Sequence, residues 1–211
     1  MSTSQPYKFV AALLRQPRRG DNADRKTQTS KEPAMFEIDQ QLDPVTYRRE
    51  TRRNTLVVAL IFIALAMALA SASVQLFGEP GADNFRWNLG GVIVGLLLSV
   101  AVVRLLLWSQ PWMAATVYGW RLKRSLMSVT NVMHHVKAGV VARDPSAMKL
   151  LRFYHLGLAQ MHRLDGNNAD ITEIGEAEVH RERMEAQGLE TAQYRLDPAW
   201  IAAVKQHPAI S

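Results

Sequence analysis

The chain has 211 residues, of which 48% are hydrophobic, 8% aromatic and 21% charged, a composition typical of a folded protein and not of a disordered one. Because it contains no cysteine, disulfide bonds, thiolate nucleophiles and thiolate-bound zinc or iron–sulfur clusters are excluded. The net charge of +6 is attributed to orientation signals and anionic lipid rather than to nucleic acid, since apolar residues crowd into two blocks between Thr55 and Trp108.

Residues 1–34 are predicted to be a disordered, basic N-terminal tail. They combine seven lysines and arginines with three prolines and many small polar residues, a composition that cannot bury a core. Met35 opens a more structured stretch, and two interpretations stay open. Either the gene start is placed too early, or the tail is functional and lies on anionic lipid.

The first predicted helix begins in the lead-in segment 35–54, at about residue 44. The tripeptide Leu-Asp-Pro at 42–44 is a helix-start signal: Asp43 caps, proline takes the first helical position, and Tyr47 stands at the staple position. The helix is expected to continue through residues 55–77. These 23 residues carry no charge and cover about 35 Å, which is enough to span a bilayer.

A turn at residues 78–88 separates this helix from a second apolar block at 89–108. Gly78, Pro80 and Gly81 break the helix where the chain must reverse. The second block is long enough to cross a bilayer once. Together the two segments predict an antiparallel transmembrane hairpin.

Basic residues at the outer ends of the hairpin predict its orientation. The turn contains one basic residue, Arg86, and two acidic residues, Glu79 and Asp83. Both termini are therefore expected in the cytoplasm and the turn in the periplasm. Arg104 lies about 6 Å of helix rise before Trp108 and can reach the headgroups; neither spanning segment offers an acid or histidine to pair with it. The predicted membrane-interface anchors are Arg48, Arg49, Arg52, Arg53, Trp87, Arg104, Trp108 and Trp112.

Small residues recur every four positions on both spanning segments. In lipid, close approach of small residues supplies much of the contact between helices. Packing within the hairpin is the favoured interpretation, and a homodimer or partner-protein interface is the alternative. The residues predicted to pack are Ala64, Ala68 and Ala72 on the first helix and Gly91, Gly95 and Ser99 on the second.

The cytoplasmic part, residues 109–211, is predicted to open with an amphipathic helical hairpin. One helix is expected from Trp112 to about Val141, and a second from the Asp144-Pro145 start signal to a stop at Gly166. The first carries an a/d seam, which is the predicted cytoplasmic interaction surface unless the following helix covers it within the same chain. The seam consists of Leu122, Leu126, Val129, Met133, Val136 and Val140.

Two shorter helices are expected after this hairpin. Asp170 and Glu173 form a capping-box-like start for a polar helix that stops at Gly188, and Asp197 precedes a short docking helix. The predicted fold is therefore all-α: a two-helix transmembrane hairpin, a cytoplasmic amphipathic helical hairpin and short C-terminal helices.

No catalytic, cofactor or metal site is expected. None of the six histidines has a partner at the i, i+4 spacing typical of helical metal sites, and His155 and His162 are interpreted as polar members of a helix–helix interface. GxSxG, Walker A and GxGxxG motifs are absent from the sequence. Residues 110–163 contain eight basic residues and one acidic residue, which favours anionic headgroups as partners. Nucleic acid is disfavoured because the sequence has no recognisable nucleic-acid-binding motif.

The runs DNFRWNLGG at 83–91 and WSQPWMAATVYGWRLKRSL at 108–126, followed by NVMHH and MKLLRFYHLGLAQMHRLDG, resemble a family of short proteobacterial inner-membrane proteins that is a domain of unknown function. The resemblance runs from about Phe36 to Val204 and implies a bacterial inner membrane and two spanning helices. It implies no activity. The first 34 residues lie outside it, which favours the misplaced start.

Three functional hypotheses follow. The leading one is a non-enzymatic interaction, scaffold or regulatory protein whose cytoplasmic helical hairpin contacts a second copy or an inner-membrane complex. The second is an accessory subunit of a transporter or channel, suggested by Arg104 and the small residues. The third is a sensor of anionic lipid at the cytoplasmic membrane face.

Overall fold

The computed structural model describes residues 36–168 and 170–208, so the basic tail predicted for residues 1–34 lies outside the described residues. Within them the fold is all-α, as predicted. The seven α-helices of the described residues are α1 (Pro44–Phe77), α2 (Phe85–Val102), α3 (Ala114–Thr130), α4 (Met133–Val141), α5 (Pro145–Asp165), α6 (Ile171–Ala186) and α7 (Pro198–Val204).

Four of these helices begin at an aspartate that caps the first turn. Each carboxylate accepts a hydrogen bond from a backbone N–H two or three residues later, and in α1, α5 and α7 a proline follows the cap. The capping residues are Asp43, Asp144, Asp170 and Asp197. Helix α5 ends at Gly166, whose φ of 75° is the left-handed conformation that glycine adopts most readily.

Helices α1 and α2 form an apolar hairpin. Ala70 of α1 lies against Gly91 of α2, and Ala66 lies against Gly95, so the two helices run antiparallel. α2 continues as a wider, π-helical turn at Val103–Leu107. Both helices are long and apolar enough to cross a membrane.

The remaining helices and the start of α1 form a helical domain with its own core. α3 and α4 lie along α5, and Leu122, Val129 and Val136 pack with Leu150 and Phe153 of α5 in one buried cluster. Tyr47 of α1 and Val204 of α7 join the same cluster.

The segment that leads into α1 pairs with the segment that leads into α7. The N–H of Ile38 donates to the Tyr194 carbonyl (2.8 Å), and the N–H of Leu196 donates to the Phe36 carbonyl (2.9 Å). This short bridge fixes the lead-in residues to the helical domain, so the domain contains both the beginning and the end of the described chain.

The prediction of a single helix from Trp112 to Val141 is wrong. The structure has two helices there, α3 and α4, with a break between Thr130 and Met133. Near the break, the Ser128 hydroxyl donates to the Ser125 carbonyl (2.6 Å) and the Thr130 hydroxyl donates to the Leu126 carbonyl (3.1 Å). Hydroxyls that bind carbonyls of their own helix bend it. On either side of the break, α3 and α4 both contact α5.

Candidate functional site

The contact between α1 and α2 is made by backbone against backbone. A Cβ atom placed on Gly91 would come within 2.5 Å of the Ala70 Cα, and one on Gly95 within 2.7 Å of the Ala66 Cα. Ser99, one turn further, is also buried, and its hydroxyl donates to the Gly95 carbonyl (2.7 Å). The small residues predicted on α2 thus face α1.

The prediction that Ala64, Ala68 and Ala72 of α1 pack within the hairpin is wrong. Ala64 and Ala68 are exposed and Ala72 is half-buried, whereas Ala66 and Ala70 are buried against α2. Two interleaved sets of alanines on α1 share the same four-residue spacing, and only one of them faces the partner helix. Spacing alone cannot distinguish the two sets.

The basic residues predicted as anchors divide into two groups. Arg49, Arg52 and Arg53 are exposed at the point where α1 enters its charge-free stretch. Arg48 is half-buried, and its guanidinium donates to the Leu164 carbonyl at the end of α5 (3.2 Å). Arg48 therefore belongs to the packing of the helical domain, and this correction removes it from the set of free anchors.

The predicted aromatic anchors are held by neighbouring rings and backbone. Trp87 stacks on Phe77, with ring centroids 5.2 Å apart, at the end of the hairpin that contains the turn. Trp112 lies half-buried at the other end, in the short helical turn that precedes α3. Trp108 lies half-buried at the end of the π-helical turn, where Arg104 stacks on it.

Asn54 connects the hairpin to the helical domain, and sequence reasoning missed it. It immediately precedes the charge-free residues 55–77 and is 0% exposed. Its amide nitrogen donates to the Trp112 carbonyl (2.9 Å) and to the Thr116 hydroxyl (2.9 Å). The one available signal was a lone asparagine between the arginines and the apolar block, which also fits a solvated boundary.

Two tryptophans and two arginines stack in a row where α2 ends and α3 begins. The Arg104 guanidinium lies 4.8 Å from the Trp108 ring centroid, Trp108 meets Trp120 edge-on at 5.0 Å, and the Arg124 guanidinium lies 5.1 Å from the Trp120 centroid. We call these four residues the Arg–Trp row. Sequence analysis identified Arg104 and Trp108 but missed the two members on α3.

The seam predicted as an interaction surface is covered within the chain. Leu122, Leu126, Val129 and Val136 are buried, and Met133 and Val140 are half-buried against the same cluster. Leu126 contacts Gly157 of α5 so closely that a Cβ on that glycine would lie 2.7 Å from it. Because α5 occupies the seam, the prediction of a cytoplasmic interaction seam is wrong. The alternative, in which the following helix covers the seam within the same chain, describes the structure.

An open groove lies between α6 and the pair α4–α5. Its cavity is about 830 Å³, within the range of sites that accept a small ligand or several side chains of a partner. Apolar residues line much of it, including Val140, Leu151 and Val179. The imidazoles of His155 and His180 meet edge-on there, with their ring centroids 5.5 Å apart. Ile171 and Ile174 of α6 do not line this groove and are 87% and 58% exposed; Ile174 lines a second, smaller pocket together with His155 and Leu158 of α5.

The histidines of this groove are held neutral by burial. Burial, then the neighbouring His180 and Arg152, lower the pKa of His155 to about 4. Burial also lowers the pKa of His180, whose Nε2–H donates to the Met148 carbonyl (2.9 Å). In residues 36–168 and 170–208, histidines and carboxylates do not gather in the threes that a metal site requires.

Lowering the pH is expected to loosen α6 from α5. Between the ordinary pKa of 6.5 and about 4, the unfolded chain binds protons at His155 that the folded chain does not, so the free energy of unfolding falls as pH falls through this window and levels off below it. Allowing for partial solvent screening, the loss is on the order of 1–2 kcal/mol. Thermal unfolding of the full chain at pH 7 and pH 5 measures it.

The matched controls are His155→Leu and His134→Leu, since His134 is exposed. The first is expected to reduce the pH dependence and the second to leave it unchanged. Equal pH dependence in His155→Leu and the parent chain would contradict the assignment.

The model of a family described as "Protein of unknown function (DUF3087)" matches residues 36–201. None of the curated proteins and none of the solved structures matches the chain.

Proposed function

The chain belongs to the family described as protein of unknown function (DUF3087), and from this premise we propose that it is a non-enzymatic protein of the bacterial inner membrane whose helical domain binds another protein at the cytoplasmic face. The family description carries no activity, so the architecture of this chain supplies the support.

The charge distribution around the apolar hairpin supports this placement. Exposed Arg52 and Arg53 precede the apolar part of α1, and exposed Arg121 and Arg124 follow α2, whereas the turn between the helices carries Glu79 and Asp83 beside one arginine. Positive residues accumulate on the cytoplasmic side of inner-membrane proteins. The helical domain is accordingly assigned to the cytoplasm and the turn to the periplasm.

The observation that carries the proposed role is the continuity of α1 between the two parts. α1 has 34 residues, about 51 Å as a helix. Its first turns are built into the helical domain through Tyr47 and Asn54, and its later turns face outward with apolar side chains. The domain is therefore held rigidly at the membrane. A rigid attachment fixes the position of the domain's binding surface relative to the bilayer.

The surface we assign to the partner is α6 with its groove, because the seam is already occupied. Exposed apolar residues that lie together on one element mark interaction sites. Ile171 and Ile174, three residues apart on α6, are both exposed, and Val179, which lines the groove, is 46% exposed. α6 also carries five glutamates against two arginines. The partner surface that fits is apolar and bordered by basic residues.

Single cysteines in this cysteine-free chain test both parts of the proposal. Ala82→Cys in the turn is expected to react with a membrane-impermeant thiol reagent in intact cells, whereas Ile174→Cys reacts only after permeabilisation. A photo-crosslinker on Ile174→Cys is then expected to capture one protein that the same probe on exposed Gln187→Cys does not.

Each outcome tests one part of the proposal. Labelling of Ile174→Cys from outside would contradict the orientation. The expected labelling pattern with identical crosslinks from residues 174 and 187 would contradict the role of α6, since a specific partner distinguishes the exposed isoleucine from a polar position at the far end of the same helix.

A further inference from the structure

The Arg–Trp row lies where the polypeptide reverses direction after α2. Trp108 and Trp120 are 12 residues apart, and a straight helix would separate them by about 18 Å. Their rings are instead in contact at 5.0 Å, because the chain turns at Gln110 and Pro111 before α3 begins. Trp120 is thus brought against Trp108 at the end of the apolar hairpin.

One face of α3 is buried and the opposite face is exposed. Leu122, Leu126 and Val129 lie on the face that is buried in the domain core. At about 100° per residue, Trp120 and Met127 lie on the opposite face, where they are 43% and 65% exposed. An exposed apolar face among basic residues is the pattern of a helix that lies in the membrane interface.

Neither arginine of the Arg–Trp row has a carboxylate partner among the described residues. α3 contains no acid. Asp165, which approaches from α5, pairs with Lys123 (3.1 Å), whereas Arg104 and Arg124 make cation–π contacts and no ion pair in the part of the chain that the structure describes. A guanidinium stacked on an indole keeps its N–H donors at the edge, where they can bind phosphate oxygens.

From this arrangement we propose that α3 lies in the headgroup layer and that the Arg–Trp row binds anionic phospholipid of the bilayer that the hairpin crosses. The ligand class is a phosphodiester headgroup with net negative charge. Charge complementarity and the position of Arg104 on the apolar helix itself favour lipid over a soluble anion. The inference rests on the proposed membrane placement.

The test uses the full chain in nanodiscs of phosphatidylcholine and phosphatidylglycerol, with an environment-sensitive fluorophore on Met127→Cys. Shallow brominated lipids are expected to quench this label, and brominated phosphatidylglycerol more than brominated phosphatidylcholine. One arginine near an anionic surface contributes about a fivefold preference for anionic over neutral lipid. Arg124→Gln is therefore expected to reduce the ratio of quenching by brominated phosphatidylglycerol to quenching by brominated phosphatidylcholine by up to about that factor. Arg143→Gln, which removes an exposed charge outside the row, is expected to leave it unchanged.

A second label separates the possible failures. Leu97 is exposed on α2, and a fluorophore on Leu97→Cys should be quenched by deeply brominated lipid. If residue 97 is quenched and residue 127 is not, or if the two lipids quench residue 127 equally, the headgroup site is overturned while the membrane placement stands. If residue 97 is not quenched either, the membrane placement itself fails.

Discussion

Gly91→Leu is expected to separate α1 from α2 and to destabilise the hairpin by about 3 kcal/mol or more. A Cβ on this residue would meet the Ala70 Cα and the Leu69 carbonyl oxygen, both at 2.5 Å, and neither is the end of a flexible side chain. Overpacking a tight contact costs about 1–3 kcal/mol even where side chains can adjust. Here the backbones themselves would have to move apart, so the cost lies at or above that range.

The neighbouring glycine provides a matched control. A Cβ on Gly90 would meet nothing within 4 Å, so Gly90→Leu is expected to leave stability nearly unchanged. Thermal denaturation of the two variants in the same detergent, followed by size-exclusion chromatography of the remaining folded protein, measures the difference. Equal loss in both variants would contradict the close α1–α2 contact.

Asn54→Leu is expected to destabilise the attachment of α1 to the helical domain by about 2–4 kcal/mol. The substitution keeps the number of side-chain heavy atoms, but it removes two hydrogen bonds made by a fully buried amide and leaves the Trp112 carbonyl and the Thr116 hydroxyl without this donor. Each buried polar group that loses its partner costs about 1–3 kcal/mol. Hydrogen exchange of the first turns of α3 is expected to accelerate.

A double-mutant cycle with Thr116→Val separates this contact from general damage. If the amide and the hydroxyl bind each other, the double variant should lose about 1 kcal/mol less than the sum of the single variants. Strict additivity would contradict the hydrogen bond. Asn88→Leu, at an exposed position of α2, is the control for replacing an asparagine by leucine.

Features that depend on local chemistry could be predicted from the sequence. The aspartate-proline starts at Asp43, Asp144 and Asp197 need only neighbouring residues to act, and the structure begins α1, α5 and α7 there. The two apolar blocks were equally visible, because a bilayer-length run of uncharged residues depends on no distant contact.

Features that depend on which face meets which partner could not be predicted. Ala64 and Ala66 each start a series of alanines with four-residue spacing on α1. Which series is buried depends on where α2 packs. Asn54 looks like a surface residue until Thr116 is brought beside it by the turn after Trp108. The seam from Leu122 to Val140 is equally compatible with a second chain, and only the fold shows that α5 fills it.

The π-helical turn at Val103–Leu107 has a consequence for the length of this protein among its relatives. Such a turn is what an α-helix becomes when one residue is added and the flanking turns keep their places; here the Trp108 N–H donates to the Val103 carbonyl, five residues back. A relative shorter by one residue at this point would keep both the glycine contact and the Arg–Trp row. A deletion between Gly91 and Gly95 would instead rotate the following residues by about 100° and remove one glycine from the contact. Gaps of one residue in this family are therefore expected at the π-helical turn and not in the regular part of α2.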